Sequence, residues 1–468
     1  MIRNEIAVDR PNILLIIADD FNSWLGCLGS HPDAHTPNID RIAKNGVLFS
    51  RAYCSAPYCN ASRMSMFTGL LPSTSGIYAN EDFWEKDQRP KTFFECFRDA
   101  GYKLFGAGKI FHGVFDYKSA TAENLRHASW RKIFHRDAIW DLYQSFKQEP
   151  LPSNRPMNGM FDYSDFESVS PWNYLFDWGP LPNEIESEMP DSKSVKFLSD
   201  ILVKHHDAPF FCALGLYKPH LPWHVPKKYF DRLESRTPSL PLVKHDDLDD
   251  APPIPVDWVL SKNDHKTILE NEQWHAAVRG YLASCTFCDA KVGEILSALE
   301  NSPHADNTIV VFLSDNGFHL GEKLHWRKFV LWEEATQVPL VFYSKSNLVG
   351  KGVCAGAVSL IDVGPTLFQL SGLNHEGFED GVSLFPSLAE PDEFTRSHPV
   401  ISTWHRGNHS VRSNAWRYTR YSDDTEELFD HRIDQREWTN LAGNINYAPI
   451  IEKLRHFIPS SDQSVEHN

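Results

Sequence analysis

Residues 59–69 read Cys-Asn-Ala-Ser-Arg-Met-Ser-Met-Phe-Thr-Gly, a spacing that sets Cys59 and Arg63 where a loop feeds a helix. Near a helix N-terminus, unpaired N–H groups and the dipole favour a bound anion. Taken alone, a Cys-x-x-x-Arg string is far more often a buried thiol beside a surface arginine. The other chemically capable residues follow apolar runs. Residues 12–18 (Asn-Ile-Leu-Leu-Ile-Ile-Ala) stop at Asp19-Asp20, and residues 308–313 run into Ser314-Asp315-Asn316. Continuous apolar runs mark parallel strands covered on both faces, and acids at their carboxyl ends face the crevice where open α/β sheets bind ligands. Asp19, Asp20, Asp315 and Asn316 make an oxygen-only set, which selects a hard cation, Ca²⁺ or Mg²⁺, over zinc. A third run, 103–105, enters a Gly-Ala-Gly turn followed by Lys109 and His112. A fourth, 209–216, ends in Tyr-Lys-Pro-His-Leu-Pro-Trp, where prolines stiffen the loop carrying Lys218 and His220.

These residues need a frame. Besides the four strands, residues 338–343 read as a fifth, and 273–299 as a helix whose Cys285 and Cys288 are core packing rather than a redox or zinc pair, since no second pair stands at metal spacing. Asp362 reads as the N-cap of a following helix. Residues 245–250, His-Asp-Asp-Leu-Asp-Asp, read as solvated loop. Residues 121–188 lack clear periodicity and read as insertions that shape the pocket rim. After about residue 385 short strands with turns take over.

A chain of 468 residues with 41% hydrophobic residues suits a large globular domain with a smaller companion. A net charge of −16 argues against nucleic acid or an anionic membrane surface as partner, since both need a basic footprint. It also disfavours a long polysulfated polymer as substrate unless the pocket gathers positive charge locally. Eight scattered cysteines in so large a chain imply no disulfide framework. The charged first residues do not resemble a signal peptide and no segment has the length of a membrane span, so the expected compartment is the cytoplasm, or the periplasm or exterior if a leader was removed.

Cys-x-Ala-Ser-Arg followed by Thr68-Gly69 and Pro72 resembles the signature of the type I sulfatases. The resemblance implies an alkaline-phosphatase-like α/β sandwich, with a large mixed, mostly parallel sheet between helices in a catalytic domain at 1–385. A small α+β subdomain with an antiparallel sheet would follow at 386–468. It implies that a formylglycine-generating maturation enzyme oxidises Cys59, and that calcium, ahead of magnesium, is held by Asp19, Asp20, Asp315, Asn316 and residue 59. Arg63, Lys109, Lys218 and Lys328 would surround the sulfate. His220, or Lys218 beside it, would protonate the leaving alcohol, and His112 would act as base. Ala61 departs from the proline many members carry.

The Gly-Lys-x-Phe-His segment at 108–112 and Lys-Pro-His at 218–220 are similar to those of iduronate-2-sulfatases, although Asn316 stands where that branch has histidine. The expected activity is hydrolysis of a sulfate ester on a sugar or oligosaccharide, including a 2-sulfated uronate. The alternatives are a phosphodiester or phosphonate monoester hydrolase of the same superfamily, and a non-enzymatic anion binder with unmodified Cys59. A homo-oligomer is compatible with either.

Overall fold

The computed structural model describes residues 10–85, 89–114, 132–133, 137–146, 152, 154–161, 173, 175–233, 237–374, 377–394 and 396–462. The first residues, read above for a signal peptide, and nearly half of the stretch at 121–188 expected to form the pocket rim lie outside these.

Eight strands form the main sheet: β1 (Asn12–Asp19), β2 (Val47–Phe49), β3 (Lys103–Gly108), β4 (Leu142–Gln144), β5 (Phe210–Pro219), β6 (Thr308–Ser314), β7 (Leu340–Ser344) and β8 (Gly352–Cys354). Their order is β8-β2-β7-β6-β1-β5-β3-β4. Pairing is parallel from β6 through β4 and antiparallel only where β7 meets β6 and β2. The run read in the sequence as one strand at 338–343 is divided. Gln337–Val338 pairs with Ala52–Tyr53 in a separate sheet, and β7 begins after Pro339, whose ring leaves no N–H for a ladder.

β1 shows why both sheet faces are covered. Ile13, Leu15 and Ile17 pack into a cluster with Met64, Phe67 and Phe211, while Leu14, Ile16 and Ala18 point the other way, toward Val278, Tyr281 and Ile295. Each fully buried aliphatic side chain is worth roughly 1.5–3 kcal/mol, so both layers anchor the strand. The first cluster includes the helix α1 (Cys59–Thr68), the second the long helix α2 (Trp274–Glu300). Cys285 and Cys288 are buried and free on α2.

Four antiparallel strands, β9 (Val400–Thr403), β10 (His409–Arg412), β11 (Trp416–Arg420) and β12 (Glu426–Asp430), form a second sheet near the C-terminus. Val411, Tyr418 and Leu428 on one face pack against Ile451 and Leu454 of the helix Ala448–Arg455. From this sheet Arg417 donates to Glu437 and Glu333 and, at 2.9 Å, to the Leu331 carbonyl. The sheet is thus tied by buried charge to the segment that follows Lys328.

Two local readings need correction. Asp247, inside the acidic run taken for solvated loop, is buried, and its carboxylate accepts from Lys323 Nζ at 2.8 Å. The cation that buries it lies 76 positions away, beyond any local pattern. Asp362 does stand at the N-cap of the helix Val363–Leu370, and what changes is only that its side chain makes no capping bond there. Its carboxylate accepts instead from the N–H groups of Ser359 and Val382, each at 2.9 Å, and pairs with Arg396.

Candidate active site

The two acid-bearing strand ends come together through register. Ala18 pairs with Ser314, so Asp19-Asp20 and Asp315-Asn316 emerge side by side. Against β5 the ladder slips between Ile17 and Asp19, so that Asp19 pairs with Pro219. Such an irregularity re-aims side chains, and here it brings the Lys218–His220 loop level with Asp19. Asp20 holds φ 62°, in the left-handed region, and its N–H donates to Asp315 Oδ1 at 3.2 Å. On the far side, Gly108 (φ 75°) and Gly215 allow β3 to end against β5. A Cβ on Gly215 would lie 2.0 Å from the Lys109 carbonyl, and Lys109 N–H donates to Gly215 O at 2.9 Å.

Cys59 is the first residue of α1, whose N-terminus has no side-chain cap. The sulfur therefore sits where the first-turn amides lack helical partners. Sγ lies 3.3 Å from Asp19 Oδ1, 4.0 Å from Asp20 Oδ1 and 2.7 Å from Lys328 Nζ. Lys328 also donates to Asp20 Oδ1, and Lys109 Nζ donates to Asp19 Oδ2. Arg63 donates through Nε to Asp315 Oδ2 at 2.8 Å and through Nη1 to the carbonyls of Lys109 and Ile110 at 2.5 and 2.9 Å. Its Nη2 lies 3.7 Å from Asp19 Oδ1. All seven side chains are buried. Three carboxylates thus face three basic groups around one sulfur.

Electrostatics follow from that burial. Burial drives the Cys59 thiol well above its usual range, and Asp19 adds to it. Burial raises the Asp19 carboxyl too, but Lys109 foremost among its cationic neighbours holds it well below the carboxylate range. Lys328 is held well above the lysine range: burial opposes its charge, and Asp20, with Cys59, Asp19 and Asp315, together outweigh burial.

The histidines approach from two sides. His220 Nε2 is 3.8 Å from Asp20 Oδ2, and its Nδ1 meets the Leu221 carbonyl at 2.5 Å, which fixes a proton on Nδ1 and turns Nε2 toward the acids. Burial lowers its pKa to about 4. His112 is buried near Tyr58, ring centroids 6.3 Å apart, and burial followed by Lys109 pushes its pKa well below the histidine range. Lys218 stands apart: Nζ donates to the Pro222 carbonyl and, at 3.5 Å, to that of His220, so it braces its own loop. Burial lowers its pKa to about 8. Asp191, which no motif singled out, accepts from the N–H groups of Tyr217 and Lys218 at 2.8 and 3.0 Å and fixes the strand end.

Oxygen and sulfur atoms of Asp19, Asp20, Cys59 and Asp315 all lie within 4.8 Å of one another. Asn316 donates through Nδ2 to Asp20 Oδ1 at 2.8 Å, leaving Oδ1 a buried acceptor with no hydrogen-bond donor. A hard divalent cation fits this donor set: it would satisfy that oxygen and compensate the carboxylates. A second buried group, Glu333, His431 and Glu437, also brings its ligand atoms together, but Arg412 and Arg417 already neutralise it.

The family model described as Sulfatase matches residues 11–373. A protein called "Sulfatase" from Formosa agariphila is 33% identical over 97% of this chain and 87% of its own length. Iduronate 2-sulfatase of Mus musculus is 30% identical over 82% of this chain and 69% of its own. Among solved structures, a 2-O GAG sulfatase superposes with a TM-score of 0.72 at 21% identity, covering 96% of this chain and 90% of that one.

Proposed function

The chain belongs to the sulfatase family, a sulfuric ester hydrolase of alkaline-phosphatase-like fold, and we propose that it cleaves the sulfate ester of a sugar, a 2-sulfated uronate among the candidates. In this reading Cys59 works as formylglycine, Asp19, Asp20, Asp315 and Asn316 with residue 59 hold a calcium ion, and the rest of the pocket binds and protonates. The observation that carries it is the position of Cys59 Sγ, 2.7 Å from Lys328 and 3.3 Å from Asp19, at the uncapped start of α1. A sulfate centred there meets amides and two lysines.

Once oxidised and hydrated, residue 59 supplies two hydroxyls on one carbon, one for attack on sulfur and one whose deprotonation expels sulfate. Bound calcium supplies Lewis-acid stabilisation of charge on the sulfate oxygens. The chain's own side chains do the remaining work. Arg63, locked by two carbonyls and Asp315, keeps the Lys109 turn and the Asp315 strand end in one geometry. Lys109 and Lys328 hold positive charge against the developing negative charge in a water-poor pocket, where it counts most. His220, with its ring proton on Nδ1 tied to Leu221, turns Nε2 into the pocket, and as imidazolium, a form that the negative charge of a bound sulfate ester favours, it is the donor to the leaving alcohol. His112, on the far wall beside Tyr58, is the base for release of sulfate. Lys218 supports the donor by holding the His220 loop, and the domain boundary near residue 385 belongs to the same proposal.

The three basic groups are matched by three carboxylates, so in this reading the positive charge that an anionic ester needs is completed by the bound cation. The test is free sulfate released from a panel of sulfated mono- and oligosaccharides by protein co-expressed with a formylglycine-generating enzyme and supplied with calcium. Release from 2-sulfated uronates supports the substrate assignment. Release from aryl sulfates alone overturns the sugar, and turnover confined to phosphonate or phosphate diesters overturns the sulfate.

A further inference from the structure

The turn joining β9 to β10 reaches the Cys59 pocket through a row of rings. Trp404 stacks on Tyr58, centroids 5.4 Å apart and planes at 16°, and Tyr58 is the residue before Cys59. Phe329, the residue after Lys328, packs against both, at 5.6 and 5.5 Å. His405 lies 3.9 Å from the Trp404 ring, and Trp258 closes the row 6.2 Å beyond. Trp404 is buried, Tyr58, Phe329 and Trp258 are half-buried, and His405 is exposed. Ring surface and an imidazole therefore open to solvent beside the pocket.

His405 holds φ 55°, a left-handed conformation that costs a residue with a Cβ. The turn is nonetheless pinned. Asp462 accepts from Gly407 N–H at 2.9 Å and from the Tyr78 hydroxyl at 3.0 Å, lies 3.3 Å from His409 Nε2, and Trp404 N–H donates to Asn408 O at 3.2 Å. Strain that the surroundings enforce is a mark of ligand-contacting segments. Aromatic faces with a polar group at their edge suit a sugar ring, which offers C–H faces and equatorial hydroxyls.

We propose that this turn is the wall of the Cys59 pocket that receives the sugar, with His405 a specificity-determining residue for its hydroxyls and Tyr58 and Trp258 presenting ring faces to it. The inference rests on the sulfatase reading above and adds the residues that choose the alcohol half of the ester. A chain segment far from the nucleophile in sequence then decides which ester enters.

The test is His405→Gly, because glycine accepts a φ of 55° and should keep or raise the melting temperature. Steady-state kinetics would be measured on a sulfated saccharide and on 4-nitrophenyl sulfate, with calorimetric binding of the desulfated sugar. For His405→Gly the expected result is a roughly tenfold loss of kcat/KM on the saccharide, carried by KM, with the aryl ester unchanged and sugar affinity down about tenfold. Trp258→Ala should likewise lower kcat/KM on the saccharide and the affinity for the sugar. Equal effects on both esters, or a lower melting temperature with unchanged KM, overturn the inference. Ester hydrolysis with sugar affinity indifferent to both variants removes the subsite and leaves the hydrolase. Sugar binding that His405→Gly weakens, in a protein that hydrolyses no ester, removes the hydrolase and leaves the subsite.

Discussion

Lys328 Nζ lies 2.7 Å from Cys59 Sγ and donates at the same time to Asp20 Oδ1, so one buried ammonium joins the proposed nucleophile position to a carboxylate of the proposed metal site. Lys328→Ala removes the charge closest to the sulfur. The expected loss is roughly a hundred- to a thousand-fold in kcat on 4-nitrophenyl sulfate, the size seen when one preorganised donor to a transition state is lost. Lys328→Arg, too long and forked for the same space, should recover little. Steady-state kinetics on both variants check this, and a loss below tenfold would count against contact between Lys328 and the sulfate.

His220 separates proton transfer from binding. With Nδ1 held by the Leu221 carbonyl, Nε2 is the atom that faces the acids. His220→Ala should cost about a hundredfold or more on an alkyl or sugar sulfate and far less on 4-nitrophenyl sulfate, whose leaving group needs no proton. Equal losses on the two esters would remove the donor role.

The orphaned Asn316 Oδ1 makes a calorimetric statement about metal. Calcium should stabilise the fold, by about 2.7 kcal/mol at a hundredfold excess over its dissociation constant, and magnesium should do so less. Asn316→Ala should weaken calcium binding about tenfold, read as a shift in the calcium concentration that raises the melting temperature. A melting temperature indifferent to calcium and to chelator would contradict the metal assignment.

Arg417 tests the link between the two sheets. It is fully buried, pairs with Glu333 and Glu437, and donates to the Leu331 carbonyl. Arg417→Ala leaves two buried acids with less charge to oppose them, so unfolding by urea should show a loss of about 3–5 kcal/mol. Arg455→Ala, at a partly exposed pair with Glu426, should cost less than about 1 kcal/mol. Similar losses at the two positions would show that burial does not set the difference.

How much of this the sequence carried depends on range. β1 and β6 were legible because a strand covered on both faces must be apolar throughout, and each run ended on acids with no other local reason to be there. Cys59 and Arg63 were legible because the whole string, with Ala61-Ser62, Thr68-Gly69 and Pro72, resembles the type I sulfatase signature; their spacing alone reads as a buried thiol. Asp191 was not, because it holds Lys218 by accepting a backbone N–H, which leaves no trace in residue types. Asp247 misled because an acidic run is usually solvated, and only Lys323, distant in sequence, buries it. The strand Trp178–Leu181 contains Gly179 and Pro180, residues that disguise a strand, and it pairs with Trp223–Pro226. The Trp404–Tyr58 stack joins positions 346 apart, a distance no periodicity reports.

The central claim is that residue 59 acts only after conversion. Preparations with graded conversion of Cys59, obtained by varying co-expression of the maturation enzyme, can be scored by peptide mass and assayed for sulfate release. The account expects initial rate to rise in proportion to the converted fraction, on a line through the origin. A substantial rate at zero conversion would contradict it.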